Sequence, residues 1–246
     1  RIVSDDAAIV ADLRSAFPGI EIMHQAASEW PLDVDAVFEA GLAPSVAMRG
    51  GGSIHIEEAR TAIMIDVDTG MPDGGTAEHA ALAVNRAAAA LIAHQLRLRN
   101  LAGPIVIDFV GLTGRVRRRD HRERVHQAMA AAVDGDPAKP EVLGWTRLGH
   151  LELVRPRRGR SLNDAMLLPG SPAKSPLTLA YEALRRLQLE ARARPAANWR
   201  LAAAPIIEAA LRGPGATALK ALEARLGRQI AIVIDPARGS FDISAA

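Results

Sequence analysis

A chain of 246 residues, 49% of them apolar, is long enough to bury a full core and allows one large domain or two small ones. Its formal net charge of +2 gives it no overall polyanionic or polycationic character, and the absence of cysteine excludes disulfides and thiolate zinc sites. No apolar run reaches the length of a membrane span and no signal-peptide pattern opens the chain, while the lack of thiols fits a reducing, cytoplasmic setting.

Ile2 and Val3 read as a short strand, and Asp5 then opens a helix to about residue 17, stopped by Pro18-Gly19. Residues 20–24 make a second strand, and Pro31 begins a helix with Val34, Val37 and Phe38 on one face. After Gly50-Gly51-Gly52, residues 53–56 and 63–67 read as a hairpin. Asp73-Gly74-Gly75 is a loop, Thr76 a candidate N-cap and Glu78 a favourable first-turn acid for a helix running to about residue 99. Leu82, Ala89 and Leu96 recur on it at helical spacing. Residues 105–108 form a strand, 117–133 a basic helix, and 142–145 and 150–154 two further strands. Residues 169–176, rich in Pro and Ser, read as a linker. Beyond it lie a helix at 177–192, a strand near 199–203, two helices across 206–226 and a strand at 230–234, a small α/β unit.

The positive charge is bunched. RVRRRDHRER at 115–124 and RPRRGR at 155–160 hold many of the 30 cationic residues, nearly all arginine, whose fork suits phosphate. Two readings stand: a polyanion-binding face, or solvated helix faces in a chain that prefers Arg to Lys.

Two apolar runs end in aspartate: IMIDVD at 63–68 and IVID at 105–108. Runs apolar throughout predict strands buried inside an α/β layer, and a carboxylate at such a strand's tip sits where open α/β sheets bind ligands. Alternation puts Asp66 and Asp68 on one face. If the two strands are neighbours, Asp108 joins them, and clustered carboxylates call for a hard cation such as Mg²⁺ or Mn²⁺. The competing reading is a simple turn residue, as in QIAIVIDP at 229–236, where Pro236 follows Asp235. None of the seven histidines is paired at metal-ligand spacing, and His150 reads either as a strand-surface residue or as a contact to a bound ligand.

The order IDVDT, GG, a helix carrying Asn85, HQLRLRNLAG, IVIDF and RLGHLELVRPR resembles the catalytic region of the ribonuclease E/ribonuclease G family, most densely over residues 50–162. The resemblance implies an α/β, mixed-sheet, DNase I-like catalytic domain at 47–168. It also implies a partial RNase H-like segment at 1–46, a linker at 169–176 and a small α/β domain at 177–246. It implies a Mg²⁺-dependent endoribonuclease acting on single-stranded RNA, Mn²⁺ being possible, with Asp66 and Asp108 as metal ligands and Asp68 as a third catalytic carboxylate where the family usually has asparagine. Asn85, Arg147, Arg155 and Arg157 fall at its RNA-contacting positions, with Glu152 balancing the arginines. The family's C-P-x-C zinc-link is lacking near 168–175, so no zinc is expected and any homo-oligomer forms without that link. The S1 domain and 5′-end sensor have no counterpart here, and the chain starts at Arg1, compatible with an internal point of a longer protein. The second functional reading is an RNA-binding or assembly protein that keeps the fold with weakened or lost turnover. Asp66 and Asp108 favour the enzyme; Asp68, Gly111 in place of a further family aspartate, and the missing modules favour the second.

Overall fold

The computed structural model describes residues 1–69, 78–111 and 115–245, with the backbone alone at 78–79 and 115–118. The loop at 73–75, the Thr76 cap, the Glu78 carboxylate and the side chains of Arg115, Arg117 and Arg118 therefore lie outside the described residues. The chain forms two compact units, Val34–Ala165 and Arg1–Asp33 with Met166–Ala246. The expected boundaries, a segment at 1–46 and a small domain at 177–246, group the chain differently from this division, in which the first 33 residues pack with the C-terminal segment.

In the discontinuous unit, β1 (Ile2–Ser4) pairs in parallel with β2 (Ile22–His24) around α1 (Ala7–Ala16). Asp6, not Asp5, caps this helix, its carboxylate accepting from the amides of Ala8 and Ile9. Asp5 is instead paired with Arg192, and Asp6 also meets Arg225, which joins the N-terminal piece to the C-terminal helices.

The continuous unit runs from α2 (Val34–Leu42) through β3 (Ser45–Ala47), β4 (Ser53–Glu58), β5 (Ile63–Asp68), α3 (Glu78–Leu98), β6 (Gly103–Asp108), α4 (Arg115–Val133), β7 (Glu141–Trp145) and β8 (Leu151–Arg155) to a short α5 (Leu162–Met166). The strands make one sheet in the order β3-β4-β5-β6-β8-β7, in which only β5 and β6 run parallel. The crossover between β5 and β6 is α3, as parallel neighbours require.

Residues 169–176 fold back as a turn: Leu167 bridges to Lys174, and Ser175 caps α6 (Pro176–Ala193), with Pro176 at a position where a missing N–H costs nothing. A three-stranded sheet follows, with β9 (Trp199–Ala203) at its centre between β10 (Ala231–Ile234) and β11 (Phe241–Ala245). Helices α7 (Pro205–Arg212) and α8 (Ala216–Leu226) connect β9 to β10. Asp235 is the turn residue expected, its carboxylate accepting from the amide of Ala237.

Among the described residues, the sheet of the continuous unit is covered on one face only. Ile65, Val67, Ile105, Ile107, Leu151 and Leu153 meet the small-residue side of α3 (Ala88, Ala89, Ile92, Ala93, Leu96) and Val125, Met129 and Val133 of α4. Fully burying each of these larger aliphatic chains is worth about 1.5–3 kcal/mol. The alanines let α3 lie close to α4 and the sheet. The expectation that β5 and β6 are buried on both sides is thus corrected: β5 alternates buried and exposed along its length, and Met64 is 41% exposed. The uncovered face carries every second residue of the central strands, and the aspartates are among them.

Candidate active site

Register decides which side chains meet on the open face. Asp66 is the partner of Asp108 across the parallel β5–β6 pair and of His55 across the antiparallel β4–β5 pair. Neighbouring strands lie about 4.8 Å apart, close enough for two carboxylates on one face to share an ion. Leu151 pairs with Ile107, which sets His150 opposite Asp108, and the imidazole Nε2 lies 3.7 Å from the Asp108 carboxylate. At the other side the Ser45 hydroxyl and His55 Nδ1 are 2.9 Å apart. A single row thus crosses the sheet: Ser45, His55, Asp66, Asp108, His150. Asp68 stands on the same face, two residues farther along β5, opposite Ser53. Its carbonyl is approached so closely by Gly52 that a Cβ there would lie 2.3 Å from the oxygen, and Gly52 also has φ +79°. Glycine is therefore required where the chain turns past the tip of β5.

The Asp108 side chain is 58% exposed, so its contact with His150 is worth at most about 1 kcal/mol and does not hold the fold. Neither histidine was singled out from sequence as a neighbour of the aspartates. The signal for His55 is present in SIHIEE, where Ile54 and Ile56 point to the core and His55 must face outward with Asp66.

Asn85 does not contact solvent. It is fully buried on α3, where its amide oxygen accepts from the Val110 N–H at 3.0 Å and its amide nitrogen donates to the Val110 carbonyl at 2.9 Å. The same nitrogen lies 2.8 Å from His121 Nε2, which makes that ring nitrogen an acceptor. The expected RNA contact is corrected to a positioning role: Asn85 fixes the backbone two residues after Asp108.

Arg155 is corrected as well. It belongs to the covered side of β8 with Leu151 and Leu153, is 5% exposed, and forks onto Asp136 at 2.8 and 3.2 Å. A further nitrogen donates to the Leu101 carbonyl at 2.8 Å, just before β6. No face is left for a phosphate. Asp136 is 1% exposed; burial alone would raise its carboxyl, but the Arg155 hydrogen bonds, the Ala138 amide and the charges of Arg155 and Arg97 outweigh it and hold the group below its ordinary value. Glu152 points to the opposite face from Arg155 and so does not balance it.

Arg147 and Arg157 are exposed, at opposite ends of β8. Arg147 lies in the turn before His150, at the Asp108 end. Arg157 follows Arg155, which pairs with Gly103 at the start of β6, and is 4.0 Å from Asp164. Asp108 lies five residue steps beyond Gly103 along β6, about 16 Å. The sheet therefore brings Arg147 to the aspartates and leaves Arg157 far from them. Near that far end Glu58 is raised by burial, partly offset by Ser161, while Arg99, 2% exposed, is lowered by burial and partly supported by Glu58.

Among the described residues no cluster of three or more His, Asp or Glu side chains can hold a metal ion. Two carboxylates on one exposed face nevertheless suit Mg²⁺, which keeps several waters and is commonly held by one or two carboxylates plus substrate phosphate. The two carboxylates are oxygen donors that fit a hard cation. No described helix is long and apolar enough to cross a membrane.

Known proteins share this region. Residues 20–158 match the Ribonuclease E/G family. The chain is 29% identical to Ribonuclease G of Escherichia coli K12 over 211 residues, which is 83% of this chain and 42% of that protein. It is 33% identical to Ribonuclease G of Haemophilus influenzae over 162 residues, 63% of this chain and 32% of the relative. It is 37% identical to Ribonuclease E of a Nostoc species over 132 residues, 53% of this chain and 19% of the relative. The chain thus spans about two-fifths of the length of the Escherichia coli Ribonuclease G. With a family match over more than half its residues, centred on the sheet that carries Asp66 and Asp108, the chain belongs to the ribonuclease E/G family.

Proposed function

We propose that the chain carries the cutting centre of a Mg²⁺-dependent endoribonuclease for single-stranded RNA in the cytoplasm. The observation that supports this most is the in-register pairing of Asp66 with Asp108 on an uncovered sheet face. Asp66 and Asp108 are the residues to hold the ion. When bound, Mg²⁺ offsets charge on the phosphoryl oxygens and lowers the pKa of an attacking water. Arg147, at the same end of the sheet, is suited to an adjacent phosphate. Asn85 keeps the chain after Asp108 in place, so that its carboxylate is held by a rigid strand end. Manganese meets the same oxygen-ligand requirement.

Asp68 supports a second reading. An extra carboxylate on the site's own face repels a phosphate when no cation intervenes, which favours a protein that binds RNA with weakened or lost turnover.

The deciding experiment mixes the protein with single-stranded, A/U-rich RNA. The enzyme reading expects internal cuts with Mg²⁺, 5′-phosphate ends, and none with EDTA. Asp108→Asn keeps the shape and removes one ligand charge, so cutting should cease while the fold persists. Wild type and Asp108→Asn equally inactive at high protein concentration, with RNA still bound, would establish the second reading.

A further inference from the structure

A cavity of about 220 Å³ opens beside Asp108, on the side away from Asp66. Its walls include Phe109 and Trp145, whose ring centres are 6.2 Å apart and tilted by 56°. Arg122 of α4 lays its guanidinium over the Trp145 ring at 5.3 Å, and its backbone carbonyl accepts the indole N–H at 3.1 Å. At the rim stands Leu148, 86% exposed, the most exposed of the described large apolar side chains of the continuous unit. Gly149 follows it at φ +105°, and a Cβ there would come within 2.6 Å of the Arg122 terminal nitrogen. Glycine at this point leaves the guanidinium room to reach the ring.

These features are more than packing needs. A leucine held in water at the tip of a turn contributes nothing to the core, and an arginine plane held over an indole beside an open cavity presents a flat cationic surface. Pockets for drug-sized ligands run to about 300–1,000 Å³; this one suits a single ring system. Its lining joins an aromatic ring, a guanidinium plane and an apolar rim, the surfaces on which unstacked bases of single-stranded RNA lie. Asp108 belongs both to this cavity and to the carboxylate pair, so a group bound in it adjoins whatever the pair holds.

We infer that the slot receives the base of the nucleotide next to the phosphate engaged at Asp66 and Asp108, resting on the RNA reading above. It gives the site a grip on RNA that depends on the base and not on charge alone. It also favours single strands, because a base inside a duplex is stacked and paired and cannot enter.

The test measures binding with Ca²⁺ in place of Mg²⁺, so that a hard cation still screens the carboxylates, and counts only RNA recovered intact. Two single-stranded oligonucleotides of equal length are compared: one of ordinary RNA, one with the same ribose-phosphate backbone but no bases. Stacking of one base corresponds to about 1–3 kcal/mol, so ordinary RNA should bind roughly 5- to 150-fold more tightly. Leu148→Ala and Arg122→Ala should each shrink that ratio while leaving affinity for the baseless strand within a few-fold. Leu148 is so exposed that its variant must fold. Equal affinity of wild type for both strands would overturn the slot and leave the RNA reading standing on charge. A preference for bases undiminished in both variants would also overturn it, since the bases then stack elsewhere. Failure to bind either strand would end the RNA reading and the slot with it.

Discussion

The two ends of the β6–β8 strand pair carry the same chemistry in opposite settings. At one end Asp108 is half exposed on the open face with His150 beside it. At the other, Arg155 and Asp136 are 5% and 1% exposed and bonded to each other on the covered side. Strand alternation makes the difference: Asp108 is one residue out of phase with Ile105 and Ile107, Arg155 in phase with Leu151 and Leu153. The buried pair has its charge neutralised within the chain and ties the start of β6 to the end of α4. The Asp108 carboxylate, by contrast, is 58% exposed to solvent. Strand parity here sorts charged side chains into those paired in the interior and those left on the open face.

The largest expected effect breaks the exposed end. If Asp108 and Asp66 hold the ion, Asp108→Asn should lower the rate of RNA cutting by at least about 100-fold, several kcal/mol of transition-state stabilisation being at stake. Stability should change by no more than about 0.5 kcal/mol, as for other exposed positions. Asp68→Asn sharpens the same site: activity rises or holds if that carboxylate merely repels phosphate, and falls if it has become a ligand. Both are read from initial rates on one RNA beside urea denaturation curves.

At the buried end the expectation reverses. Arg155→Met leaves Asp136 buried and uncompensated and should cost about 3–5 kcal/mol of stability. Removing both charges, as Arg155→Met with Asp136→Leu, should recover part of that loss, and a double-mutant cycle gives the coupling. A loss under 1 kcal/mol for the single change would mean that the pair is not the lock described.

Acid separates the two ends further. Asp136 is held below its ordinary value in the fold, so its contribution is complete above the unfolded carboxyl value, about pH 4, and is lost as pH falls through the folded value. The stability gap between wild type and Asp136→Asn should therefore be constant near neutrality and close in strong acid. A gap that widened with acidity would reverse the assigned sign.

Much of this was legible in the chain, and what was not has identifiable causes. The apolar runs before Asp66 and Asp108 gave both strands, and the long helix between them gave the parallel crossover. Burial on one face only was not readable, because IMID looks the same whether Met64 meets a helix or water. Arg155 could have been read: LELVR puts it in phase with two core leucines, but its charge and its place in an arginine-rich string pointed outward. Asn85 could not be placed from sequence, because what satisfies its amide is the backbone of Val110, 25 positions away. The strands Ser45–Ala47 and Phe241–Ala245 escaped notice because neither carries an apolar run; each is fixed by its neighbour in the sheet.

The smallest effect concerns the two exposed arginines, and it measures how far the binding face extends. Each phosphate neutralised on a single strand contributes about 0.7 to the slope of log affinity against log salt. Arg147 lies at the Asp108 end and should contribute one such contact, so Arg147→Ala should flatten the slope by about that amount and weaken RNA binding. Arg157 stands near the far end of β8 and shares its charge with Asp164 at 4.0 Å, both side chains being more than half exposed. Arg157→Ala should therefore change the slope less than Arg147→Ala. Equal changes would mean that RNA runs the length of the sheet and draws Arg157 away from Asp164. No change for either would remove both from the phosphate track and leave the aspartate pair and the slot beside it as the whole of the binding face.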